Sequence, residues 1–181
     1  MGCRENTEMK RIIVVGSPGA GKSWFSQHLG AVTRIEVIHL DHLFWQPGWV
    51  EMPRAEWVEV QAQLVKRESW IIDGYYGATL EIRLERADTV MFLDLPRGIC
   101  IKRALSRVVR NYGRTRSDMA NGCGERINGE FLRYIWRFPF DQRPGLLRKL
   151  ARAQALGVDV MTFKTNREVQ TYLDHLQKSR L

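Results

Sequence analysis

Apolar residues gather into five short runs, separated by stretches where they recur every three or four positions. The runs are Arg11-Ile12-Ile13-Val14-Val15, Glu36-Val37-Ile38-His39-Leu40, Trp70-Ile71-Ile72, Thr89-Val90-Met91-Phe92-Leu93 and Val158-Asp159-Val160-Met161-Thr162-Phe163. Their length and β-branched content predict strands. Most are apolar throughout rather than alternating, which fits strands buried on both faces. The stretches between them predict helices. One continues through Trp24-Phe25-Ser26-Gln27-His28-Leu29. Another starts with Pro53 at its first position and carries Trp57, Val60, Leu64 and Val65. A third spans about Pro96 to Arg110, and an amphipathic piece surrounds Phe131, Leu132, Ile135 and Trp136. A helix from about Arg143 stops at Gly157, and a last one, N-capped by Asn166, carries Val169, Tyr172, Leu173 and Leu176.

Strand and helix in alternation predict an α/β fold: a parallel sheet covered by helices on both faces, with right-handed crossovers. In such a sheet, ligands bind beyond the carboxyl ends of the strands. The 181 residues suit a single domain. The polar segment 1–10 reads as a loose leader, and the glycine-containing excursion beginning at Asn111 reads as a lid-like insert over about 111–140.

The loop after the first run supplies the chemistry. Gly16-Ser17-Pro18-Gly19-Ala20-Gly21-Lys22-Ser23 is a complete phosphate-binding string, G-x-x-x-x-G-K-S, between a predicted strand and a predicted helix. Glycines let the backbone approach an anion, and successive N–H groups with the helix N-terminus then face the phosphates. In this pattern Lys22 reaches the β- and γ-phosphates of ATP, and the Ser23 hydroxyl goes to Mg²⁺.

Asp41, Asp73 and Asp94 all follow predicted strands and so fall on the same rim. Asp73 ends a Walker-B-like strand and suits the magnesium shell. Asp41 precedes an aromatic loop and suits orientation of an acceptor or the role of base. Asp94 either joins them or caps a turn. Trp45, Trp49, Tyr75 and Tyr76 flank the carboxylates, where they either stack on a substrate or close the core under a loop. Arg103 and Arg107 lie one turn apart on the helix after the fourth strand. With Arg110, Arg114, Arg116 and Arg126 beyond them, they either stabilise a transferring phosphoryl group or form a solvated face. His39 and His42 flank Asp41, but the histidines show no metal spacing.

Charge narrows the partners. The net charge is +8, but residues 97–152 carry 14 Lys/Arg against 4 Asp/Glu, a local excess of +10. That excess fits either phosphate clamping or nucleic acid, and no helix-turn-helix, zinc-finger or single-strand-binding signature accompanies it. No apolar run approaches the ~20 residues of a membrane span. The first ten residues are too polar for a secretory signal, and Asn6 breaks the myristoylation pattern that Met1-Gly2-Cys3 begins. Cys3, Cys100 and Cys123 are widely spaced, as expected of reduced thiols in a cytoplasmic protein.

Several stretches together resemble a known family. They are Gly16 to Ser23; Leu40-Asp41-His42 with Trp45, Pro47 and Trp49; and Trp70-Ile71-Ile72-Asp73-Gly74-Tyr75-Tyr76. Phe92-Leu93-Asp94-Leu95-Pro96 with Arg103 and Arg107, Gly122-Cys123-Gly124-Glu125-Arg126, and Phe131-Leu132 with Tyr134-Ile135-Trp136 complete them. The chain resembles the adenylate kinase-related P-loop kinases, and within them more closely the FlaR-type DNA topology modulation proteins of bacteria. The resemblance covers nearly everything after Lys10. It implies a nucleoside-monophosphate-kinase-like core with a five-stranded parallel sheet, an acceptor region and an arginine-bearing lid. It also implies ATP with Mg²⁺ and transfer of the γ-phosphoryl group to a small-molecule acceptor, such as a nucleotide or nucleoside. Lys22 and Ser23 carry over by motif, Arg103 and Arg107 match the arginine pair that opens the lid, and Arg126 matches the arginine of a G-C-P-E-R-like string. Adenylate kinases follow the third strand's Asp-Gly with Pro-Arg, whereas here Tyr75-Tyr76-Gly77 follows. Asp41-His42-Leu43 also lacks the acceptor-side arginine, and Gly124 stands where the string has Pro. The expected function is therefore an ATP-dependent small-molecule kinase, with a DNA-associated NTPase or regulator as the alternative.

Overall fold

The apolar runs pair side by side as parallel strands. The computed structural model describes residues 9–113, 119–124 and 128–179. In chain order the elements are β1 (Arg11–Gly16), α1 (Lys22–Thr33), β2 (Val37–His39), α2 (Leu40–Phe44), β3 (Trp45–Gln46), β4 (Val50–Glu51), α3 (Arg54–Leu64) and β5 (Trp70–Asp73). There follow α4 (Leu80–Leu84), β6 (Thr89–Leu93), α5 (Arg97–Asn111), α6 (Gly129–Asp141), α7 (Arg143–Ala155), β7 (Asp159–Phe163) and α8 (Asn166–Lys178). The five-stranded sheet has the order β2-β5-β1-β6-β7 and is parallel throughout, as the alternation of strands and helices predicts.

Each central strand sends alternate side chains to opposite faces. Ile13 and Val15 of β1 join Ile72, Val90 and Phe92 in one core, which Trp57 and Leu64 of α3 and Leu146 and Leu150 of α7 cover. Ile12 and Val14 join Ile71, Met91 and Leu93 in the other, under Phe25 and Leu29 of α1, Cys100 and Ala104 of α5, and Val169 and Leu173 of α8. Helix α6 spans the boundary, with Ile135 in the second core and Phe138 in the first.

Four local expectations need correction. The second strand stops at His39, and the chain turns at once into α2, so Asp41 lies in a helical first turn rather than at a strand end. A carboxylate is favoured there by the helix dipole. The aromatic stretch is a small antiparallel hairpin, β3–β4, rather than a loop. Pro53 precedes α3 in an extended conformation instead of opening it. Thr165, not Asn166, caps α8: its hydroxyl accepts the Glu168 N–H at 3.1 Å, while the Glu168 carboxylate returns to the Lys164 N–H at 2.7 Å. Helix α4 has five residues, too few for a periodic pattern to reveal.

One buried cation fixes the chain beyond β5. Arg83, on α4, is fully buried. It donates to the carbonyls of Gly74 and Tyr75, both at 2.6 Å, and of Tyr76 at 3.3 Å. Burial pulls its pKa down, to about 9, which leaves the guanidinium protonated at neutral pH. A fork of fixed donors matched to three carbonyls is a task suited to arginine. Arg83→Met leaves those carbonyls without their donor, and we expect it to lower the unfolding free energy by roughly 2–4 kcal/mol in urea titrations. A change within about 0.5 kcal/mol contradicts this role for Arg83.

Candidate functional site

Beyond the carboxyl ends of the strands lies an open cleft of about 1630 Å³. The phosphate loop forms one end. Gly16, the last residue of β1, has φ +149°, and a Cβ there would sit 2.5 Å from the Leu93 carbonyl oxygen. Gly19 has φ +79°, and a Cβ there would collide with the Cys100 carbonyl. The loop is thus pressed against β6 and α5 where only glycine fits. Helix α1 begins behind it with no side-chain cap and no acidic residue in its first turn. Its leading N–H groups are therefore not claimed by a protein side chain, which is what an anion at a helix start requires. Lys22 and Ser23 line the cleft, and the Lys22 ammonium rests on the Ser17 carbonyl at 3.3 Å.

Helix α5 brings its basic face to this loop. Arg103 donates to the Ala20 carbonyl at 3.0 Å and to Asn166 Oδ1 at 2.9 Å, so it ties the loop to α8. Arg107 also lines the cleft, with its guanidinium 5.9 Å from the Phe131 ring centroid, and Arg110 lines it beyond. Arg114, Arg116 and Arg126 lie outside the described residues. Leader residues 1–8 do as well.

The three rim carboxylates part company. His39 and Asp73 are register partners on β2 and β5, and the imidazole Nδ1–H donates to Asp73 Oδ2 at 2.9 Å. Asp73 is only 4% exposed, and its Oδ1 has no hydrogen-bond partner. A buried acceptor in that condition calls for a donor or a cation. Among the described residues no three His, Cys, Asp or Glu side chains cluster as a ready-made metal site. The residues therefore suit a magnesium ion that arrives with phosphates, near Ser23 and Asp73, rather than one held by protein alone. Asp94 is taken by a bidentate ion pair with Arg143, with contacts of 2.7 and 2.8 Å. Its place is structural: it joins the end of β6 to the start of α7.

Asp41 accepts the Tyr76 hydroxyl at 2.7 Å. Tyr76 has φ +35°, rare for a residue with a side chain. It is wedged against Phe44 and Trp57, with ring centroids 4.8 and 5.0 Å away. Burial, together with the Asp41 charge, pushes its phenol far above the ordinary tyrosine range, so it stays a donor. Tyr75 turns away: its ring meets Phe138 edge-on at 5.5 Å, and its hydroxyl points to the Gln142 carbonyl at 3.5 Å. Burial raises its pKa too. Thus Tyr76 supports the carboxylate, Tyr75 closes the core, and both still edge the cleft.

Trp45 and Trp49 stand 5.4 Å apart, edge to face, on the hairpin. The segment 119–124 packs on them through Met119, Ala120 and Cys123. The Gly48 N–H donates to the Gly122 carbonyl, and Trp49 Nε1–H to the Gly124 carbonyl, both at 3.2 Å. His42 Nδ1–H donates to the Met119 carbonyl at 2.9 Å. Sequence reading found neither this docking nor Arg83. Glycine and histidine at 42, 48 and 122 give no pattern that pairs them, and a lone arginine in a short helix reads as surface.

Comparison with solved structures fits this geometry. The chain superposes on the shikimate kinase from Acinetobacter baumannii in complex with shikimate with a TM-score of 0.56, at 18% identity over 96% of each chain. For the shikimate kinase from Bacteroides thetaiotaomicron the TM-score is 0.50, at 16% identity over 94% of this chain and 98% of that one. This is the P-loop, nucleoside-monophosphate-kinase-like fold. At these identities the likeness concerns the fold alone. No protein-family model matches the sequence, and no curated protein matches it. The FlaR-type likeness finds no support in these comparisons. Among the described residues, no helix is long and apolar enough to cross a membrane.

The contact between Tyr76 and Asp41 can be weighed by a double-mutant cycle. Tyr76→Phe and Asp41→Asn should each reduce stability, and together they should cost about 1 kcal/mol less than their sum. Strict additivity in thermal or urea unfolding contradicts the pairing.

Proposed function

We propose that this protein is an ATP-dependent kinase that transfers the γ-phosphoryl group to a hydroxyl of a small molecule. The observation that carries the reading is the placement of Asp41, supported by Tyr76, in one cleft with a complete phosphate loop and the α5 arginines. The fold shared with shikimate kinases is consistent with it, since one of those structures is a kinase in complex with the small molecule shikimate.

In this reading Lys22 and the loop N–H groups hold the β- and γ-phosphates. Magnesium bound with ATP offsets phosphate charge, and Ser23 and Asp73 are the residues that would hold it. Asp41 orients the acceptor hydroxyl. The acceptor's hydroxyl oxygen bonds to the γ-phosphorus, the bond from that phosphorus to the β,γ-bridging oxygen breaks, and ADP leaves. The hydroxyl proton passes to the Asp41 carboxylate and then to solvent. Arg107 stabilises charge on the transferring group, and Arg103 braces the loop. Arg126 is proposed as a third arginine from the lid. The stretch between α5 and α6 serves as that lid and excludes water from the transfer, while α6 itself packs into both cores. Trp45 and Trp49 supply apolar surface for the acceptor.

A nucleic-acid partner has less to recommend it. Arg143 pairs with Asp94, Arg137 with Asp141, Lys149 with Glu81, and Arg103 with the loop, so four of the fourteen basic residues in 97–152 are engaged within the molecule.

A transfer screen with γ-labelled ATP against hydroxyl compounds tests the proposal. Lys22→Ala should lower transfer about 100-fold or more. Arg107→Ala should lower kcat about 100-fold and leave ATP affinity within about threefold, as for a group acting mainly in the transition state. Equal losses in binding and turnover would assign Arg107 to ground-state binding instead.

A further inference from the structure

His39 ends β2 and Asp73 ends β5, and the two are partners in strand register. Asp73 lines the same cleft as Lys22 and Ser23. The residues just before the pair, Ile38 and Ile72, are buried and apolar, as the inner part of a covered sheet requires. An imidazole and a carboxylate set at the end of such strands are costly unless their polar atoms are satisfied.

That satisfaction is half complete. His39 Nδ1–H donates to Asp73 Oδ2 at 2.9 Å, while Oδ1 of the same carboxylate is buried with no hydrogen-bond partner. Buried Arg83 does not supply the missing donor, because its terminal nitrogens go to the carbonyls of Gly74, Tyr75 and Tyr76. A pair with a purely structural purpose would close on itself, since a buried polar network left partly unsatisfied is unfavourable. Asp73 is instead held by one oxygen and open at the other. Carboxylates that bind metals are arranged in this way: a neighbour outside the metal's reach orients them, and its loss typically costs about 10–100-fold in metal affinity or activity.

Resting on the reading that assigns the magnesium of bound ATP to Ser23 and Asp73, we propose that His39 is the positioning residue of that metal site. Its Nδ1–H fixes the carboxylate through Oδ2 and leaves Oδ1 as the atom for the cation or for a water of its shell. His39 acts through Asp73 and takes no part in the transfer step. The metal site thus reaches beyond the phosphate-loop string to a histidine on the neighbouring strand.

Two substitutions separate the donor from the ring. His39→Phe keeps a ring without the N–H, and His39→Asn places an amide nitrogen where Nδ1 stands. Binding of a non-hydrolysable ATP analogue is measured by calorimetry with Mn²⁺ and again with all metal chelated. In the wild type, Mn²⁺ should tighten binding. His39→Phe should cut that gain about tenfold or more and leave metal-free affinity within about threefold, and His39→Asn should restore most of it. In the transfer assay, activity lost in His39→Phe should return as Mg²⁺ is raised, which damage to the fold would not allow. In the wild-type protein, paramagnetic Mn²⁺ added with the analogue should broaden the imidazole resonances of His39 far more than those of His175 on α8.

An unchanged Mn²⁺ gain in folded His39→Phe overturns the proposal and leaves the kinase reading standing. So does a His39→Asn protein that fails as His39→Phe does, or a His39 resonance that stays sharp while Mn²⁺ and the analogue bind. Loss of the gain in His39→Phe and its return in His39→Asn, without transfer to any acceptor, supports the role of His39 and removes the kinase reading. A wild-type protein that binds the analogue equally with and without metal overturns the proposal together with the magnesium assignment.

Discussion

At Gly19 the phosphate loop lies against the carbonyl of Cys100 with no room for a side chain between them. Much of the site follows from that contact. It sets the start of α5 beside the loop, and one turn on, Arg103 reaches the Ala20 carbonyl and Asn166 of α8. Gly16 meets Leu93 in the same manner, so β6 as well as α5 packs directly against the anion-binding turn. A loop fixed on three sides presents its N–H groups already oriented, and preorganised dipoles of this kind are the main resource of phosphoryl-transfer sites.

A second clamp fixes the other side of the cleft. Buried Arg83 holds three successive carbonyls after Asp73, and the last belongs to Tyr76. That residue is forced into a positive φ, and its hydroxyl is delivered to Asp41. A cation on a five-residue helix thereby governs where a carboxylate on a different element points. The hairpin that carries Trp45 and Trp49 is in turn tied to residues 119–124 by backbone and indole hydrogen bonds. The cleft thus has a phosphate-loop end set by glycine contacts and an opposite wall set by buried polar contacts.

This division also explains what was legible in the sequence. The sheet was, because unbroken apolar runs such as Ile12 to Val15 are forced into the middle of a parallel sheet by burial on both faces. The phosphate loop was, because its residue types and spacing are set by contact with an anion. Asp73 and His39 fall together through strand register, which the runs only roughly define. Asp94 read as either a third rim carboxylate or a turn cap, and only the tertiary fold reveals that Arg143 claims it. Asp41 was found as a carboxylate near a strand end, but its helical turn and its Tyr76 partner depend on the buried Arg83 network, to which no local pattern points. Tyr75 and Tyr76 were indistinguishable as neighbours until the positive φ sent them in opposite directions.

The central claim is that one cleft joins a nucleotide donor to a hydroxyl acceptor. It is tested most directly by the stoichiometry of turnover: ADP formed against phosphorylated acceptor formed, in the wild-type protein and in Lys22→Ala. The account predicts one ADP for each phosphorylated acceptor, and neither product at a comparable rate without Lys22. ADP released without phosphorylated acceptor, or product formed undiminished in Lys22→Ala, would contradict it.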